Sequence, residues 1–145
     1  MPLYQVHPSQ LPQVWPVAAP LLQKAIDLDP DLNKIEMIEY AIRTGRTFLL
    51  VWAEPGEGIT GAAAIDIIDY PTERIAHGNL MGGKGIVRDY VIEELYNWMR
   101  LQGATVAQLW AKGTLVNMYE KIGLKVTHQV MRKKLWLSAQ NTTAT

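Results

Sequence analysis

The chain has 145 residues, of which 48% are hydrophobic and 19% charged; this composition supplies one packed core and is too apolar for a disordered chain. Its 14 basic residues balance its 14 acidic residues, so no net charge attracts nucleic acid or an anionic membrane. The absence of cysteine excludes disulfides, thiolate metal sites and a cysteine nucleophile.

The N-terminus carries no basic signal-peptide region, and no apolar stretch approaches the roughly 18 residues that span a bilayer. We therefore expect a cytoplasmic protein with neither a nucleic-acid nor a membrane partner. The three histidines, His7, His77 and His128, have no ligand spacing, so we expect no metal site.

The first elements in chain order are a strand and a proline-containing helix. Residues Leu3 to His7 predict a short strand, and Ser9 is placed to cap the helix that follows. Apolar residues recur at helical spacing from Leu11 to Ile26. Because Pro16 and Pro20 each remove a backbone donor, we expect a kinked helix or two short ones.

A second helix is predicted to begin at a capping box formed by Asn33 and Glu36. Its apolar stripe consists of Ile35, Ile38 and Ile42, and Gly45 ends it.

Three strands follow and favour an antiparallel meander. They are predicted at residues 47–53, 61–70 and 73–81, with a turn at 54–58. Alternation along the second strand predicts that Asp66 and Asp69 face solvent.

The last third alternates between helices and strands. A loop at residues 82–85 opens a long amphipathic helix that ends at Gly103; a strand (104–111), a helix (114–122) and a final strand (126–137) follow. The predicted order is β-α-α-β-β-β-α-β-α-β in one domain, residues 1–137, with a polar tail at 138–145. The β-α-β step implies two parallel strands.

The segment from Leu115 to Leu124, Leu-Val-Asn-Met-Tyr-Glu-Lys-Ile-Gly-Leu, resembles the A-x-x-x-Y-E-K-x-G-F segment of GCN5-related N-acetyltransferases (GNATs). The glycine loop also lies between a strand and a long helix, as the acetyl-CoA loop of that family does. The resemblance implies an α/β fold with a GNAT-like mixed central sheet. It further implies acetyl-CoA as co-substrate and a small-molecule or protein amine as acceptor.

Other positions depart from the family pattern. The phosphate loop Gln/Arg-x-x-Gly-x-Gly/Ala falls on Gly82, Gly85 and Val87, and keeps only the middle glycine. The family's Asn-x-x-Ala falls on Lys112 and Leu115 and keeps neither residue. These losses motivate an alternative, in which the fold is retained without catalysis.

More narrowly, the chain resembles small acetyltransferase-like proteins of tailed phages and prophages. Trp15-Pro16, Tyr70-Pro71 and Gly82-Gly83 carry this resemblance. It implies a location in the host cytoplasm or in the virion, and makes the non-catalytic alternative a phage accessory or virion protein.

The glycine loop is the candidate cofactor site. Small residues before a helix leave backbone N–H groups and a positive dipole end free for a diphosphate; the candidates are Gly82, Gly83, Lys84, Gly85 and Ile86. An ordinary glycine-rich turn is the alternative, favoured by the β-branched side chain of Val87. By the resemblance, Asn79, Leu80 and Met81 at the strand end would pair with the pantetheine arm.

Two residues are candidates for catalysis. Tyr119 matches the family tyrosine that protonates the departing thiolate; alternatively, it packs in the core with its hydroxyl bonded. His77 is the candidate general base because its pKa range suits proton transfer, although a surface histidine or a satisfied core histidine is the simpler explanation. Asp66 and Asp69 are weaker base candidates.

The basic run of Arg132, Lys133 and Lys134 would suit the 3′-phosphate of CoA or an acidic partner, or else protects a solvated strand edge. Trp136 is the tryptophan expected in an interface, and a homodimer is one assembly that would bury it.

Overall fold

The computed structural model describes residues 3–85 and 88–135. Within them the strands are β1 (Leu3–Val6), β2 (Phe48–Glu54), β3 (Gly58–Asp69), β4 (Arg74–Gly83) and β5 (Val106–Leu109), and the helices are α1 (Leu11–Leu28), α2 (Ile35–Arg43), α3 (Asp89–Leu101) and α4 (Gly113–Glu120). A short 3₁₀ turn at Pro8–Gln10 precedes α1.

The described strands form one mixed sheet in chain order, β1-β2-β3-β4-β5. Neighbours from β1 to β4 are antiparallel, which confirms the predicted meander. The last pair, β4 and β5, is parallel, because α3 returns the chain across the sheet before β5 begins. The predicted β-α-β step is therefore confirmed.

Both faces of the sheet are covered by helices. On one face α1 and α2 bury an apolar cluster that includes Leu22, Ile42 and Leu49. On the other, α3 packs Val91 and Leu95 against the sheet. Successive strand residues point to opposite faces, so the apolar runs of β2 and β3 supply both clusters.

Helix α1 is one helix despite its internal prolines. Pro16 and Pro20 are both exposed, so the carbonyls that lose their backbone donor lie on the solvent side of the helix. Its N-terminal flanking residue is Gln10, and Ser9 lies in the 3₁₀ turn. The predicted cap at Ser9 is therefore wrong.

The capping box predicted for α2 is also wrong. Lys34 is the N-terminal flanking residue of α2, and it makes no side-chain cap hydrogen bond. The apolar stripe is confirmed, since Ile38 and Ile42 are buried.

The glycines at the end of β4 lie in the strand, which corrects the loop predicted to begin at Gly82. Gly82 pairs with Ala62, and Gly83 pairs with Gly61. A Cβ on Gly82 would lie 2.0 Å from the carbonyl oxygen of Leu21 in α1. The absence of side chains thus serves close packing of the strand against this helix.

The final predicted strand does not form in its described part. Residues 125–135 are all exposed and carry no assigned secondary structure; residues 136 and 137 lie outside the described residues, as do Trp136 and the predicted tail. The basic run of Arg132 to Lys134 is on this exposed segment, and Lys134 Nζ lies 3.4 Å from Asp31 Oδ2. None of the helices among the described residues has the length and apolarity that crossing a membrane requires.

Candidate active site

A cleft opens where β4 and β5 stop pairing. The parallel ladder runs from Ile75 opposite Val106 to Gly78 opposite Leu109, where β5 ends, while β4 continues to Gly83. On the other side of β4, the register with β3 shifts between Gly78 and Leu80, which leaves Asn79 as a bulge. From Asn79 onward, β4 is therefore paired with β3 alone among the described strands.

A cavity of about 280 Å³ occupies this cleft. It brings together five of the residues that the sequence singled out for catalysis and pantetheine binding: His77, Asn79, Leu80, Met81 and Tyr119. The end of α1, the connection to α2 and the residues around the start of α4 close it, through Leu28, Asp29, Leu32, Trp110 and Lys112 among others.

Tyr119 lies on α4 and is buried, with its side chain at the cavity wall. Burial raises the pKa of its phenol above the usual 10.0, because the charged phenolate is poorly solvated there. Its hydroxyl has no hydrogen-bond partner among the described residues, in contrast to the Tyr96 hydroxyl, which donates to the Ile122 carbonyl at 2.6 Å. Tyr119 therefore carries a proton toward the cavity at neutral pH.

A row of polar side chains crosses the sheet on the same face as α1. Asp66 in β3, His77 in β4 and Gln108 in β5 are register partners, and directly opposed residues share a face of the sheet. The Thr47 hydroxyl donates to Asp66 Oδ1 at 2.6 Å. Asp66 lines the cavity, so the prediction that it faces solvent is wrong. Asp69, at the exposed end of β3, does face solvent.

The imidazole of His77 is held between two neighbours on or just after β5. Its Nδ1 lies 3.1 Å from Gln108 Nε2, and its ring makes an edge contact with the Trp110 indole at 5.4 Å between centroids. Burial lowers the pKa of His77 below 6.5, an effect that the Asp66 carboxylate partly opposes. His77 is therefore neutral at physiological pH.

The cavity also contains two charged residues, Asp29 and Lys112, that sequence patterns did not assign to a site. Asp29 follows α1 and lies 3.8 Å from Lys112 Nζ, so these two charges offset each other. Among the described residues, no cation lies within ion-pair distance of Asp66. Asp29 and Trp110 are far apart in sequence, and no spacing rule joins them.

The glycine corner lies outside this cavity. The backbone N–H of Lys84 donates to the Thr60 carbonyl at 3.1 Å, and the Lys84 carbonyl accepts from Trp52 Nε1 at 2.7 Å. The amide of Lys84 is thus already bonded within the protein. Ile86 and Val87, the other positions at issue in the predicted phosphate loop, lie outside the described residues.

Both cations at the glycine corner are paired with carboxylates. Lys84 Nζ lies 3.1 Å from Glu57 Oε1, and Arg88 Nε lies 3.3 Å from Glu54 Oε1. The Glu54 side chain is only 8% exposed, and a Cβ on Gly85 would lie 2.8 Å from its Oε1. The Glu54 contact with Arg88 is an ion pair without hydrogen-bond geometry. These four side chains sum to no net charge.

A scan against protein-family models matches none of them, and a search of curated proteins finds no match. Solved structures do match. A probable acetyltransferase gives a TM-score of 0.67 at 16% identity, covering 95% of this chain and 99% of that chain. A ribosomal-protein-alanine N-acetyltransferase from Brucella melitensis biovar Abortus 2308 gives 0.65 at 13% identity, covering 93% and 100%.

An aminoglycoside acetyltransferase from an uncultured soil metagenomic sample, solved in complex with sisomicin, gives a TM-score of 0.63 at 10% identity and covers 94% of this chain and 95% of that chain. These neighbours are GNAT acetyltransferases, and at such identities the likeness shows the fold alone. The protein therefore has a GNAT-like α/β fold with a mixed central sheet, as the sequence predicted.

Proposed function

We propose that the protein is an acetyl-CoA-dependent N-acetyltransferase whose acceptor is the amine of a small molecule or a protein. One observation carries this proposal. The divergence of β4 and β5 places two features on the walls of one cavity: the free edge of Asn79 to Met81, and Tyr119, whose hydroxyl has no partner among the described residues.

The free edge of β4 suits the pantetheine arm. Pantetheine carries two amides, and the backbone of β4 beyond Gly78 has no partner strand among the described residues on the side that faces β5. An extended chain of amides can pair with such an edge as a further strand would. Asn79, Leu80 and Met81 would hold this part of acetyl-CoA.

The cavity residues supply the proton transfers of an acyl transfer. The ammonium group of the acceptor first loses a proton to the Asp66 carboxylate or to water, and the neutral amine attacks the thioester carbon. As the C–S bond breaks, Tyr119 donates its proton to the departing sulfur, and the nitrogen of the new amide returns a proton to the phenolate. The raised pKa of Tyr119 keeps that proton in place until the thiolate forms.

The glycine corner is less favourable for binding the diphosphate of acetyl-CoA. The Lys84 amide is bonded, and the ion pairs of Lys84 and Arg88 leave no net positive charge at the glycine corner. These observations favour the second candidate function, in which the GNAT fold is kept without catalysis. Only the resemblance carried by the three dipeptides makes that candidate a phage accessory or virion protein.

Calorimetry with two ligands tests both candidates. We expect the protein to bind acetyl-CoA, and to bind acetyl-pantetheine, which lacks the diphosphate and adenosine, within about tenfold of that affinity, because the corner adds little attraction. Absence of heat with either ligand at millimolar concentration would retire the transferase proposal in favour of the inactive alternative. A preference for acetyl-CoA above about a hundredfold would show that the corner does bind the diphosphate.

A further inference from the structure

We propose that His77 donates a hydrogen bond through its Nε2–H to the thioester carbonyl oxygen, and that Gln108 is the positioning residue that holds the imidazole in this tautomer. The inference rests on the proposed transferase function and gives His77 a role different from that of a general base.

The contact between Gln108 and His77 determines where the imidazole proton lies. The side-chain nitrogen of glutamine is a donor and has no acceptor lone pair. In the orientation that the structure gives the Gln108 amide, its Nε2 lies 3.1 Å from His77 Nδ1, and with this orientation Nδ1 accepts. A neutral imidazole has one proton, so that proton is on Nε2. Among the described residues Nε2 has no partner, and His77 lines the cavity.

The carboxylate that faces His77 does not bind it. Asp66 is its register partner in β3, but the hydrogen bond recorded for the Asp66 carboxylate comes from the Thr47 hydroxyl. A histidine that serves as a base is ordinarily oriented by an acceptor at Nδ1, which leaves Nε2 free to take a proton. Here the partner at Nδ1 is a donor, so Nδ1 accepts and Nε2 carries the proton, the reverse of the arrangement in a base.

A fixed N–H at this position stabilises the charge that develops during acyl transfer. When the amine attacks the thioester carbon and the C–N bond forms, the electron pair of the C=O bond moves to oxygen. The Nε2–H of His77 donates to that oxygen until the C–S bond breaks and the carbonyl re-forms. The imidazole keeps its proton throughout, and Tyr119 alone protonates the sulfur.

The tautomer is measurable in the ligand-free protein without any activity. Long-range ¹H–¹⁵N correlation spectra distinguish protonated from unprotonated ring nitrogens, and the His77→Gln variant identifies the His77 signals. We expect protonated Nε2 and unprotonated Nδ1 between pH 7 and 8. A proton on Nδ1 in that range would overturn the inference.

Variants separate a donor from a base. His77→Gln keeps an N–H donor about as far from the backbone as Nε2 but cannot act as a base. His77→Ala can neither donate nor act as a base. We expect thiol release from acetyl-CoA, with water as acceptor, to fall about 10²-fold or more in His77→Ala and less than tenfold in His77→Gln. An equal loss in both variants would contradict the donor role.

Gln108→Glu reverses the partner at Nδ1. The carboxylate accepts from Nδ1–H, so neutral His77 becomes a free acceptor at Nε2. We expect thiol release to fall above the pKa of His77 in this variant, while Gln108→Leu, which only removes the partner, loses less. A rise in Gln108→Glu would identify His77 as a base and overturn the inference.

Binding provides a readout for a slow enzyme. The wild type should prefer acetyl-CoA to ethyl-CoA, which has no carbonyl group, and His77→Ala but not His77→Gln should lose that preference. Failure of the wild type to bind acetyl-CoA would defeat the proposed function and this role together. Binding with no dependence of the preference on His77 would defeat this inference alone.

Discussion

At the scale of single residues, Tyr119 is the group to which the proposed mechanism gives the clearest chemical task. We expect Tyr119→Phe to slow thiol release from acetyl-CoA about 10²-fold, the contribution typical of a general acid. Binding of acetyl-CoA should change little, because the hydroxyl acts only once the sulfur leaves. Calorimetry and a thiol-release assay measure the two effects separately.

Tyr96→Phe is the matched control for that variant. It removes a phenol hydroxyl that is bonded to the Ile122 carbonyl, at an expected loss of about 0.5–1.5 kcal/mol in the free energy of unfolding. Thiol release by the folded protein should be unaffected. Equal rates in Tyr119→Phe and the wild type would remove Tyr119 from the mechanism.

His77 also makes the stability of the protein depend on pH. Its pKa in the folded protein lies below the 6.5 of the unfolded chain, so the unfolded state binds the proton more readily. The stability that His77 supports is therefore complete above pH 6.5 and declines as the pH falls through the folded-state pKa.

Urea unfolding at pH 7.5 and at pH 5 measures this decline. The wild type and His77→Gln differ in this one titratable group, so their comparison isolates the histidine. The variant should lose less of its unfolding free energy on acidification than the wild type. An equal loss would show that His77 is solvated like an exposed histidine.

Among the residues at the cavity, sequence patterns singled out those that lie on one strand or in one motif. His77 and Asn79 to Met81 lie along β4, and Tyr119 lies in a ten-residue segment resembling a known family. Gln108 and Asp66 were different, because their relation to His77 depends on strand register. The bulge at Asn79 and the parallel alignment of β5 set that register, and neither is visible in local spacing.

At the scale of elements, the glycines that end β4 fit the strand to α1. We expect Gly82→Ala to lower the free energy of unfolding by roughly 1–3 kcal/mol, because the new methyl group would lie against the Leu21 carbonyl, a backbone atom that cannot move alone. Chemical denaturation measures the change.

Gly113→Ala is its control within the same chain. A Cβ at Gly113 meets nothing within 4 Å, and this residue begins α4, so alanine should stabilise the protein by about 0.4–1 kcal/mol. Opposite signs for the two variants are expected. A neutral Gly82→Ala variant would show that α1 lies further from β4.

The elements that were predicted correctly are those whose apolar residues pack against a neighbouring helix or strand. Strands β2 and β3 pair on both sides and pack against helices on both faces, so their long apolar runs are sufficient signals. The segment after α4 has alternating apolar residues such as Val126 and Val130, yet both are more than half exposed. A strand needs an edge to pair with, and alternation alone does not reveal whether that edge is supplied.

At the scale of the whole molecule, one sheet joins two apolar clusters, and this predicts a single unfolding transition. Leu22 on α1 and Leu95 on α3 are almost fully buried in opposite clusters. Each packs against strands that also form the other cluster. We expect Leu22→Ala and Leu95→Ala each to lower the free energy of unfolding by about 2–5 kcal/mol, with no intermediate.

Two probes monitor the two faces during denaturation. Far-ultraviolet circular dichroism reports the helices. In a Trp15→Phe background, which removes the indole packed on the α1 cluster, tryptophan fluorescence reports chiefly the buried Trp52 and Trp98 of the α3 cluster. If the sheet couples the clusters, the two transitions coincide in both variants, even though Leu22 is on the face opposite these indoles. A circular dichroism transition that precedes the fluorescence transition in Leu22→Ala would show that α1 and α2 detach first, and that the cavity they close is lost while the rest of the fold remains.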